Sequence, residues 1–332
     1  MDNIYNRKKR ILVIGKNGFI SKNLSVYLKK SENYDIRVVS SADLNILDEL
    51  SIRHFLYNDY YDVIIDTAIY NPRIGSYKDP NKELEYDLLM FHNLAKNHNR
   101  YGRLIYFGSG AEYDKRYPIC SVTEDDLKLS INMKEDSEED KNVIKKQHNI
   151  RCSGNIPTSQ YGLAKYIIGQ EIESGIYGAE NIYNLRIFGL FGKYENWKKT
   201  FISGACCKAL NNLPITIRQN VYFDYLYIRD FCKMLEKFIN IERPKFHTYN
   251  ITSGQRVSLF EIANLVNKIS ENNVPIYICN KGLGNEYTSS NKRIIDEIGG
   301  FEFEPMSDSI KDLYGWYESI RGEIDIESLL YQ

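Results

Sequence analysis

The chain lacks any long hydrophobic run. A helix needs roughly 18–20 consecutive apolar residues to span a bilayer, and no stretch of the 332 residues reaches that length. The basic start at residues 7–10 is followed only by the short apolar run Ile11–Ile14, which is too short for a signal peptide. We therefore expect no membrane partner and a cytoplasmic location.

Cysteine and histidine are scarce. The sequence has 6 Cys and 5 His, with no Cys-x-x-Cys pair and no histidine at the spacing of a metal site. Neither a disulfide framework nor a zinc site is indicated, so we expect reduced thiols and no bound metal. The cysteines are Cys120, Cys152, Cys206, Cys207, Cys232 and Cys279.

An excess of charge of either sign is also absent. The 43 basic and 44 acidic residues give a net charge of −1, which provides no field to attract nucleic acid. Proline is rare, with 8 residues, and 43% of the chain is hydrophobic, as in a folded protein. Because a single core usually stops growing near roughly 250–300 residues, we expect one large domain with an added lobe.

Apolar runs alternate with amphipathic stretches through the first half of the chain. The run Ile11–Ile14 ends at Gly15, and apolar residues then recur at helical spacing over 19–30. This alternation predicts an α/β fold with a Rossmann-like, doubly wound parallel sheet. The further predicted elements are strands at 36–39, 63–66 and 104–107 and helices at 47–57 and 83–96.

Residues 114–155 interrupt the alternation, because they are polar and mixed in charge; we interpret them as a surface loop or insertion. We assign 1–187 to a dinucleotide-binding domain to which 219–254 return, and 188–332 mainly to a substrate-binding lobe. Beyond the insertion the pattern predicts helices at 161–176, 201–210, 230–239 and 259–269 and strands at 182–187, 215–218 and 222–227.

A glycine-containing turn follows the first predicted strand. In Gly15-Lys-Asn-Gly18-Phe-Ile-Ser21, glycine permits a tight turn and a close approach of the backbone to a pyrophosphate at the helix N-terminus. The simpler alternative is a turn that contains glycines by chance. The residues predicted to contact the cofactor are Gly15, Asn17, Gly18, Phe19, Ile20, Ser40, Ser41, Asn45, Ala68 and Lys165.

The residues after the second predicted strand bear on the choice of cofactor. An acidic residue at this position would bind the ribose 2′-hydroxyl of NAD, but Ser40 and Ser41 stand here and the first acid is Asp43. Small hydroxyl residues leave space for a 2′-phosphate, to which Lys16 and Arg37 can supply positive charge. We therefore predict NADP(H) as the preferred cofactor, with NAD(H) as the alternative.

A phenol and an ammonium group lie four residues apart in Tyr161-Gly-Leu-Ala-Lys165, which places both on one face of a helix. Ser109 follows the strand at 104–107, at the edge where open α/β sheets bind ligands. Such a trio suits the reduction of a ketone: Tyr161 protonates the developing alkoxide, Ser109 hydrogen-bonds its oxygen, and Lys165 favours the ionised phenol. The alternatives are an ordinary surface pair and a capping serine.

With these motifs, the sequence resembles the extended short-chain dehydrogenase/reductase family of NAD-dependent epimerase/dehydratase type, in particular its nucleotide-sugar enzymes. The resemblance covers about residues 10–317 and implies Ser109, Tyr161 and Lys165 as the catalytic residues. The motifs, in order, are Gly15-x-x-Gly18-x-x-Ser21, 43–48 (DLNILD), 62–68 (DVIIDTA), 107–113 (FGSGAEY), 161–165 (YGLAK), 185–192 (LRIFGLFG) and 223–230 (FDYLYIRD).

Three positions depart from the pattern that the resemblance implies. The GDP-fucose synthases of this family, which epimerise and then reduce, carry a cysteine and a histidine where this chain has Ala111 and Tyr194. Neither residue suits proton exchange at a sugar carbon. Relatives usually place an arginine on the substrate diphosphate where Phe223 stands, and Arg218 is the predicted substitute. Glu112 and Tyr113 complete the predicted substrate-binding residues.

The leading hypothesis is NADP(H)-dependent reduction of the C4 ketone of a nucleotide-linked 4-keto-6-deoxy sugar, in synthesis of a surface-polysaccharide sugar. The first alternative is a C4 epimerase that holds NAD tightly. The second is a cofactor-binding interaction protein without catalytic activity. The resemblance also implies a homodimer formed by the helices at 83–96 and 161–176, which carry apolar residues beyond one face.

Overall fold

The computed structural model describes residues 7–57, 59–70, 79–127 and 156–330. The strands are β1 Lys9–Ile14, β2 Tyr34–Val39, β3 Val63–Asp66, β4 Leu104–Ser109, β5 Ile119–Val122, β6 Ile182–Ile187, β7 Gly189–Phe191, β8 Ile215–Asn220, β9 Tyr222–Tyr227, β10 Thr248–Ile251, β11 Arg256–Ser258, β12 Ile276–Leu283 and β13 Tyr287–Ser289. The helices are α1 Phe19–Leu28, α2 Glu49–Phe55, α3 Glu83–Ala95, α4 Gln160–Ser174, α5 Phe201–Leu210, α6 Ile228–Ile239, α7 Leu259–Ser270, α8 Lys292–Glu297, α9 Met306–Ser319 and α10 Ile326–Leu330.

Six strands form one parallel sheet in the order β10-β6-β4-β3-β1-β2. The strand order reverses beside β1, whose neighbours are β2 and β3. Ile14 lies opposite both Val39 and Asp66, so the carboxyl ends of these three strands meet at one edge. The fold class predicted from the sequence is confirmed, and this edge is where such sheets bind ligands.

The sheet is covered on both faces, as strand β1 shows. Ile11 and Val13 belong to one apolar cluster with residues of α1 and α6, whereas Leu12 and Ile14 belong to another with residues of α2, α3 and α4. All four side chains are at most 3% exposed. Burial of each contributes roughly 1.5–3 kcal/mol, which explains why a continuous apolar run forms this strand.

A second sheet forms the added lobe. Strands β11, β9, β13 and β5 are adjacent in that order, with β7 paired to β9, and β8 and β12 form a separate pair. Strand β5 lies within the stretch predicted as a loop, and it forms because it pairs in parallel with β13. Residues 114–127 of that predicted insertion are described, and residues 128–155 lie outside the described residues.

The chain returns to the first sheet after β9. Helix α6 packs against α1, and β10 pairs with β6. Strand β9 belongs to the lobe, so the return begins at Ile228 and not at the predicted residue 219.

Helices long and apolar enough to cross a membrane do not occur in the described part of the chain. The same residues contain no cluster of His, Cys, Asp or Glu that could hold a metal ion. The thiols of Cys206, Cys207, Cys232 and Cys279 are free, and Cys152 lies outside the described ranges.

Candidate active site

The turn between β1 and α1 brings the backbone close to the edge of the sheet. Gly15 has a φ of +105°, and a Cβ there would lie 2.4 Å from the Thr67 hydroxyl oxygen, so only glycine fits. The Gly18 N–H donates to the Gly15 carbonyl at 2.9 Å, and no side chain caps α1. The first-turn N–H groups are therefore available to an anion.

The remaining predicted cofactor residues lie around this turn. Phe19 and Ile20 begin α1 and are half-buried, and the Ala68 N–H donates to Asp66 at 3.0 Å. Ser21, at the position of a third glycine, is fully buried and keeps a small side chain between helix and sheet. Asn17, Ser41 and Asn45 are exposed.

The edge after β2 carries a carboxylate. Asp43 accepts hydrogen bonds from the Ser40 N–H at 2.9 Å and from the Ser40 hydroxyl at 2.7 Å. These bonds, with smaller contributions from Lys16 and Arg37, lower the pKa of Asp43 below its ordinary value. The Ser40 hydroxyl is therefore engaged by an ionised Asp43, whereas Ser41 is exposed. The predicted roles of Ser40 and Ser41 at the cofactor stay a prediction.

Arg37 was expected to provide positive charge at this edge. Its guanidinium donates to Asp59 at 3.2 Å and lies 4.4 Å from the centre of the Phe55 ring. The positive charge of Arg37 is thus paired with Asp59. Lys16 is exposed in the glycine turn and is therefore more accessible to a bound phosphate than Arg37 is.

Ser109 ends β4 and begins a short helical turn. Its hydroxyl oxygen accepts the Ala111 N–H at 3.1 Å, and its own N–H donates to Glu112 at 3.2 Å. This reciprocal arrangement is a capping box, which fixes both the backbone and the hydroxyl of Ser109.

A buried ion pair lies next to the turn that starts at Ser109. Glu112 and Arg186 make contacts of 2.8 Å, with side chains 0% and 3% exposed. Asn184 also donates to Glu112, and Tyr113 accepts from Arg186. The predicted substrate-binding roles of Glu112 and Tyr113 are not supported by this arrangement, because both polar groups are buried and bonded within the protein.

Helix α4 lies directly against the Ser109 turn because two of its positions are glycine. A Cβ at Gly162 would lie 2.9 Å from the Ala111 carbonyl oxygen, and one at Gly169 would lie 2.5 Å from a Glu112 carboxylate oxygen. Ser159 caps the helix by accepting the Gly162 N–H at 3.1 Å. This close packing brings the Tyr161 and Lys165 side chains to the carboxyl edge of β4.

Lys165 is 3% exposed and is held by three groups. Its ammonium donates to the Phe107 carbonyl at 2.8 Å and lies 4.3 Å from the Tyr106 ring centre and 5.7 Å from that of Tyr161. Tyr161 itself is half-buried.

Asp66, at the end of β3, is buried close to this lysine. Burial raises the pKa of Asp66 to about 6, with the Ala68 N–H and Lys165 opposing the shift. The structure thus brings Tyr161, Lys165 and Ser109 to the edge that also carries the glycine turn.

Tyr287, which the sequence did not single out, joins this site from the lobe. A Cβ at Gly110 would lie 2.2 Å from its hydroxyl oxygen, so the phenol reaches the turn that starts at Ser109. Tyr287 is 7% exposed, and burial raises the pKa of its phenol well above the ordinary value. No local sequence signal could have found it, because the chain contains 27 Tyr and this one lies on a three-residue strand.

The lobe side of the site differs from the prediction. Arg218 is exposed on β8, and the structure gives it no contact with the trio or with Tyr287 among the described residues. Phe223 packs on Tyr287, with ring centres 5.4 Å apart. The predicted substitution of Arg218 for the arginine missing at Phe223 stays a prediction.

Ala111 and Tyr194, which are not expected to exchange protons with a sugar carbon, both lie in the described part of the chain. Ala111 is buried in the Ser109 turn. Tyr194, with a left-handed φ of +70°, lies 5.3 Å from the Trp316 ring and 5.6 Å from the Lys22 ammonium. Its ring therefore contacts α1 and α9.

Comparisons with known proteins show the family of the chain. The sequence model of the NAD dependent epimerase/dehydratase family matches residues 11–252, which is more than half of the chain. The chain belongs to this family. The match begins in β1 and ends just after β10, so it includes the glycine turn and all three residues of the trio. No curated protein matches the sequence.

Solved structures with a similar fold align with nearly the whole chain. A GDP-L-fucose synthetase from Naegleria fowleri is 15% identical with a TM-score of 0.73, over 96% of this chain and 99% of that one. A GDP-D-glycero-L-gluco-heptose synthase from Campylobacter jejuni, solved with NADPH, is 17% identical with a TM-score of 0.71, over 96% and 100%. A UDP-glucose 4-epimerase from Thermotoga maritima is 14% identical with a TM-score of 0.72, over 94% and 99%. At these identities the likeness concerns the fold.

Proposed function

We propose that this family member is an NADP(H)-dependent reductase of the C4 ketone in a nucleotide-linked 4-keto-6-deoxy sugar, serving synthesis of a surface-polysaccharide sugar. The observation that carries the proposal is the assembled trio at the carboxyl edge of β4, combined with Ala111 and Tyr194 at the two positions of the epimerising pair. A ketone can be reduced by the trio alone, whereas epimerisation beside the ketone requires a further acid and base.

The glycine turn fits a dinucleotide. Gly15 leaves no space for a Cβ, and the uncapped start of α1 offers N–H groups to a pyrophosphate. We propose that Lys165, at the same edge, binds the nicotinamide ribose. When bound, the reduced cofactor supplies the hydride that is added to the ketone carbon.

The residues of the trio have separate tasks. Ser109, fixed by its capping box, donates its hydroxyl proton to the ketone oxygen as negative charge develops there. Tyr161 transfers a proton to the same oxygen. The Lys165 ammonium, held by the Phe107 carbonyl, stabilises the phenolate that Tyr161 leaves behind.

Lys115 is our candidate for the cation that binds the substrate diphosphate. Its ammonium lies 4.3 Å from the Tyr287 ring centre, and that ring packs on Phe223, where relatives place an arginine. Lys115 is exposed at the surface, and partial desolvation of its ammonium by the surrounding atoms lowers its pKa. No described carboxylate forms a salt bridge with Lys115, so an anionic ligand would compensate its charge.

A panel of GDP-, dTDP-, CDP- and UDP-linked 4-keto-6-deoxy sugars tests the proposal. We expect oxidation of NADPH with at least one of them, and NMR of the product should show a hydroxyl at C4. Turnover of the sugar without consumption of NADPH would reject the reductase. No turnover with any member would favour a cofactor-binding protein without catalysis.

One observation favours the C4 epimerase as second candidate. The ionised Asp43 beside Ser40 is suited to accept a hydrogen bond from a ribose 2′-hydroxyl, as in NAD-binding sites. An epimerase of this kind would purify with bound oxidised cofactor and would interconvert C4 epimers. Analysis of the nucleotide released on denaturing the purified protein distinguishes the two candidates.

The diphosphate site is tested by Lys115→Met and Arg218→Met. If Lys115 contacts the diphosphate, its replacement should raise KM for the nucleotide sugar by about tenfold, as expected for loss of one charged hydrogen bond. Lys268→Met, at an exposed position of α7, is the matched control. A larger effect of Arg218→Met would restore the prediction made from the sequence.

A further inference from the structure

The end of strand β3 meets Lys165 at the edge of the sheet. The Ile64 N–H of β3 donates to the Arg103 carbonyl at 2.7 Å. Because the carbonyls of alternate residues in a strand point the same way, the Phe107 carbonyl of β4 also points towards β3. Strand β3 ends at Asp66, so the Phe107 carbonyl lies just beyond its last residue. This is the carbonyl to which the Lys165 ammonium donates at 2.8 Å.

The Asp66 side chain stops the ladder between β3 and β4 from continuing. In a continued ladder the next donor to the Phe107 carbonyl would be the Ala68 N–H, two residues after Asp66. Instead, the Ala68 N–H donates to the Asp66 carboxylate at 3.0 Å. Asp66 thus ends the ladder and leaves the Phe107 carbonyl to Lys165.

Asp66 and Lys165 also lie on one face of the sheet. Asp66 is in register with Tyr106, and residues in register on neighbouring strands have their side chains on the same face. The Lys165 ammonium lies 4.3 Å from the centre of the Tyr106 ring. Asp66 and Lys165 are each 3% exposed. Because a buried charge is costly unless an opposite charge is close, these two charges suit each other.

We propose that Asp66 is a positioning residue for Lys165 and the buried counter-charge of its ammonium. Its carboxylate takes the Ala68 N–H, and its negative charge limits how strongly Lys165 favours the ionised form of Tyr161. The phenol therefore keeps the proton that the reduced ketone needs. The effect is electrostatic across the end of β3 and needs no direct ion pair. The inference rests on the proposed task of Lys165, which the reductase and the alternative epimerase share.

The charge of Asp66 depends on pH. The titratable groups that act on this carboxylate from the described elements around it are Lys165 of α4, Asp87 of α3, Tyr106 of β4 and Tyr101 before β4. Burial raises the pKa of Asp66 to about 6, and a backbone hydrogen bond and Lys165 oppose this shift. The carboxylate is therefore ionised at neutral pH, and its compensation of Lys165 is lost on acidification through about pH 6.

The coupling is tested on the protein without substrate. NMR of the carboxyl carbon of Asp66, assigned through its own backbone, reports the titration. In Lys165→Met we expect the midpoint of Asp66 to rise by about one pH unit, because a nearby positive charge is lost. Asp43, on which Lys16 and Arg37 act, is the internal control and should keep its midpoint. An unchanged midpoint of Asp66, or an equal shift at Asp43, would overturn the proposal.

The pH dependence of kcat tests the consequence for Tyr161, which must be protonated for reduction. Asp66→Asn keeps an acceptor for the Ala68 N–H but removes the charge, so the alkaline fall of kcat should move to lower pH by about one unit. The matched control is Asp48→Asn, at a carboxylate that accepts the Leu50 N–H at 3.0 Å in the same local arrangement, and it should leave the profile unchanged.

A loss of kcat at every pH without a shift of the profile would show that Asp66 has a structural role only, and it would overturn the proposal. Absence of turnover with every sugar of the panel, together with the expected shift of the Asp66 midpoint in Lys165→Met, would reject the proposed function alone.

Discussion

Neutralising Glu112 should destabilise the fold far more than neutralising a surface carboxylate. In Glu112→Gln the side chain keeps its shape but only one of its two acceptor oxygens, and the Arg186 guanidinium, 3% exposed, loses the carboxylate charge at 2.8 Å. Removing one member of a buried pair typically costs about 3–5 kcal/mol. Glu124 also acts on Arg186 electrostatically, so we expect the lower end, about 3 kcal/mol.

A double-mutant cycle distinguishes lost pairing from general damage. Arg186→Met should also cost about 3–5 kcal/mol, whereas the double variant should cost clearly less than the sum, because no charge remains unpaired. The free energy of unfolding is measured by urea denaturation, with the fluorescence of Trp197 and Trp316 as the probe.

The matched control is the surface pair of Lys292 and Asp296, whose side chains are 78% and 62% exposed. Asp296→Asn should change the stability by less than about 1 kcal/mol. A cost below about 1 kcal/mol for Glu112→Gln, or strict additivity in the cycle, would refute the view that this pair stabilises the turn below Ser109.

Further predictions address the catalytic residues, the choice of cofactor and the assembly. Tyr161→Phe should lower turnover by roughly 10²–10⁴-fold while cofactor binding is retained, and Lys165→Met should weaken both; undiminished turnover would remove Tyr161 from the mechanism. Asp43→Asn should lower KM for NADPH but not for NADH, because it removes a negative charge close to the expected position of the 2′-phosphate. Initial-rate assays with each cofactor measure the two KM values. An equal change in KM for NADPH and NADH would contradict this expectation. Light scattering at micromolar concentration should give the mass of a dimer. Leu89→Glu, which changes an α3 side chain that is 36% exposed, should yield a monomer. A monomeric wild type would reject the predicted helix interface.

The parallel sheet could be predicted because its strands are local features of the sequence. The runs at 11–14 and 63–65 are apolar throughout, since both faces of the sheet are buried. Tyr161 and Lys165 could be placed together for a similar reason, because their spacing alone puts them on one helix face.

The lobe could not be predicted in this way. Strand β13 has three residues and β5 has four, and both exist because they pair with each other across 168 residues of sequence between Ile119 and Tyr287. Neither has an apolar periodicity long enough to recognise. The position of Tyr287 beside Gly110 follows from that pairing. The burial of Glu112, which the sequence presented as a substrate ligand, follows from its contacts with Arg186 and Asn184, which lie far from it in sequence.

Labelling with deuterium tests what the enzyme does not do. Epimerisation at C3 or C5 requires a base that removes a proton beside the ketone and an acid that returns one to the opposite face. At the two positions where related enzymes carry these groups, Ala111 has no ionisable side chain, and the Tyr194 ring is packed against Trp316 and the Lys22 ammonium. We therefore expect turnover in deuterated water to leave C3 and C5 of the sugar unlabelled while the ketone is reduced by NADPH. Mass spectrometry and NMR of the product measure the label. Deuterium at either carbon above the non-enzymatic background would show that an acid and base act from elsewhere, and His148 and Cys152, which lie outside the described residues, would be the first to replace.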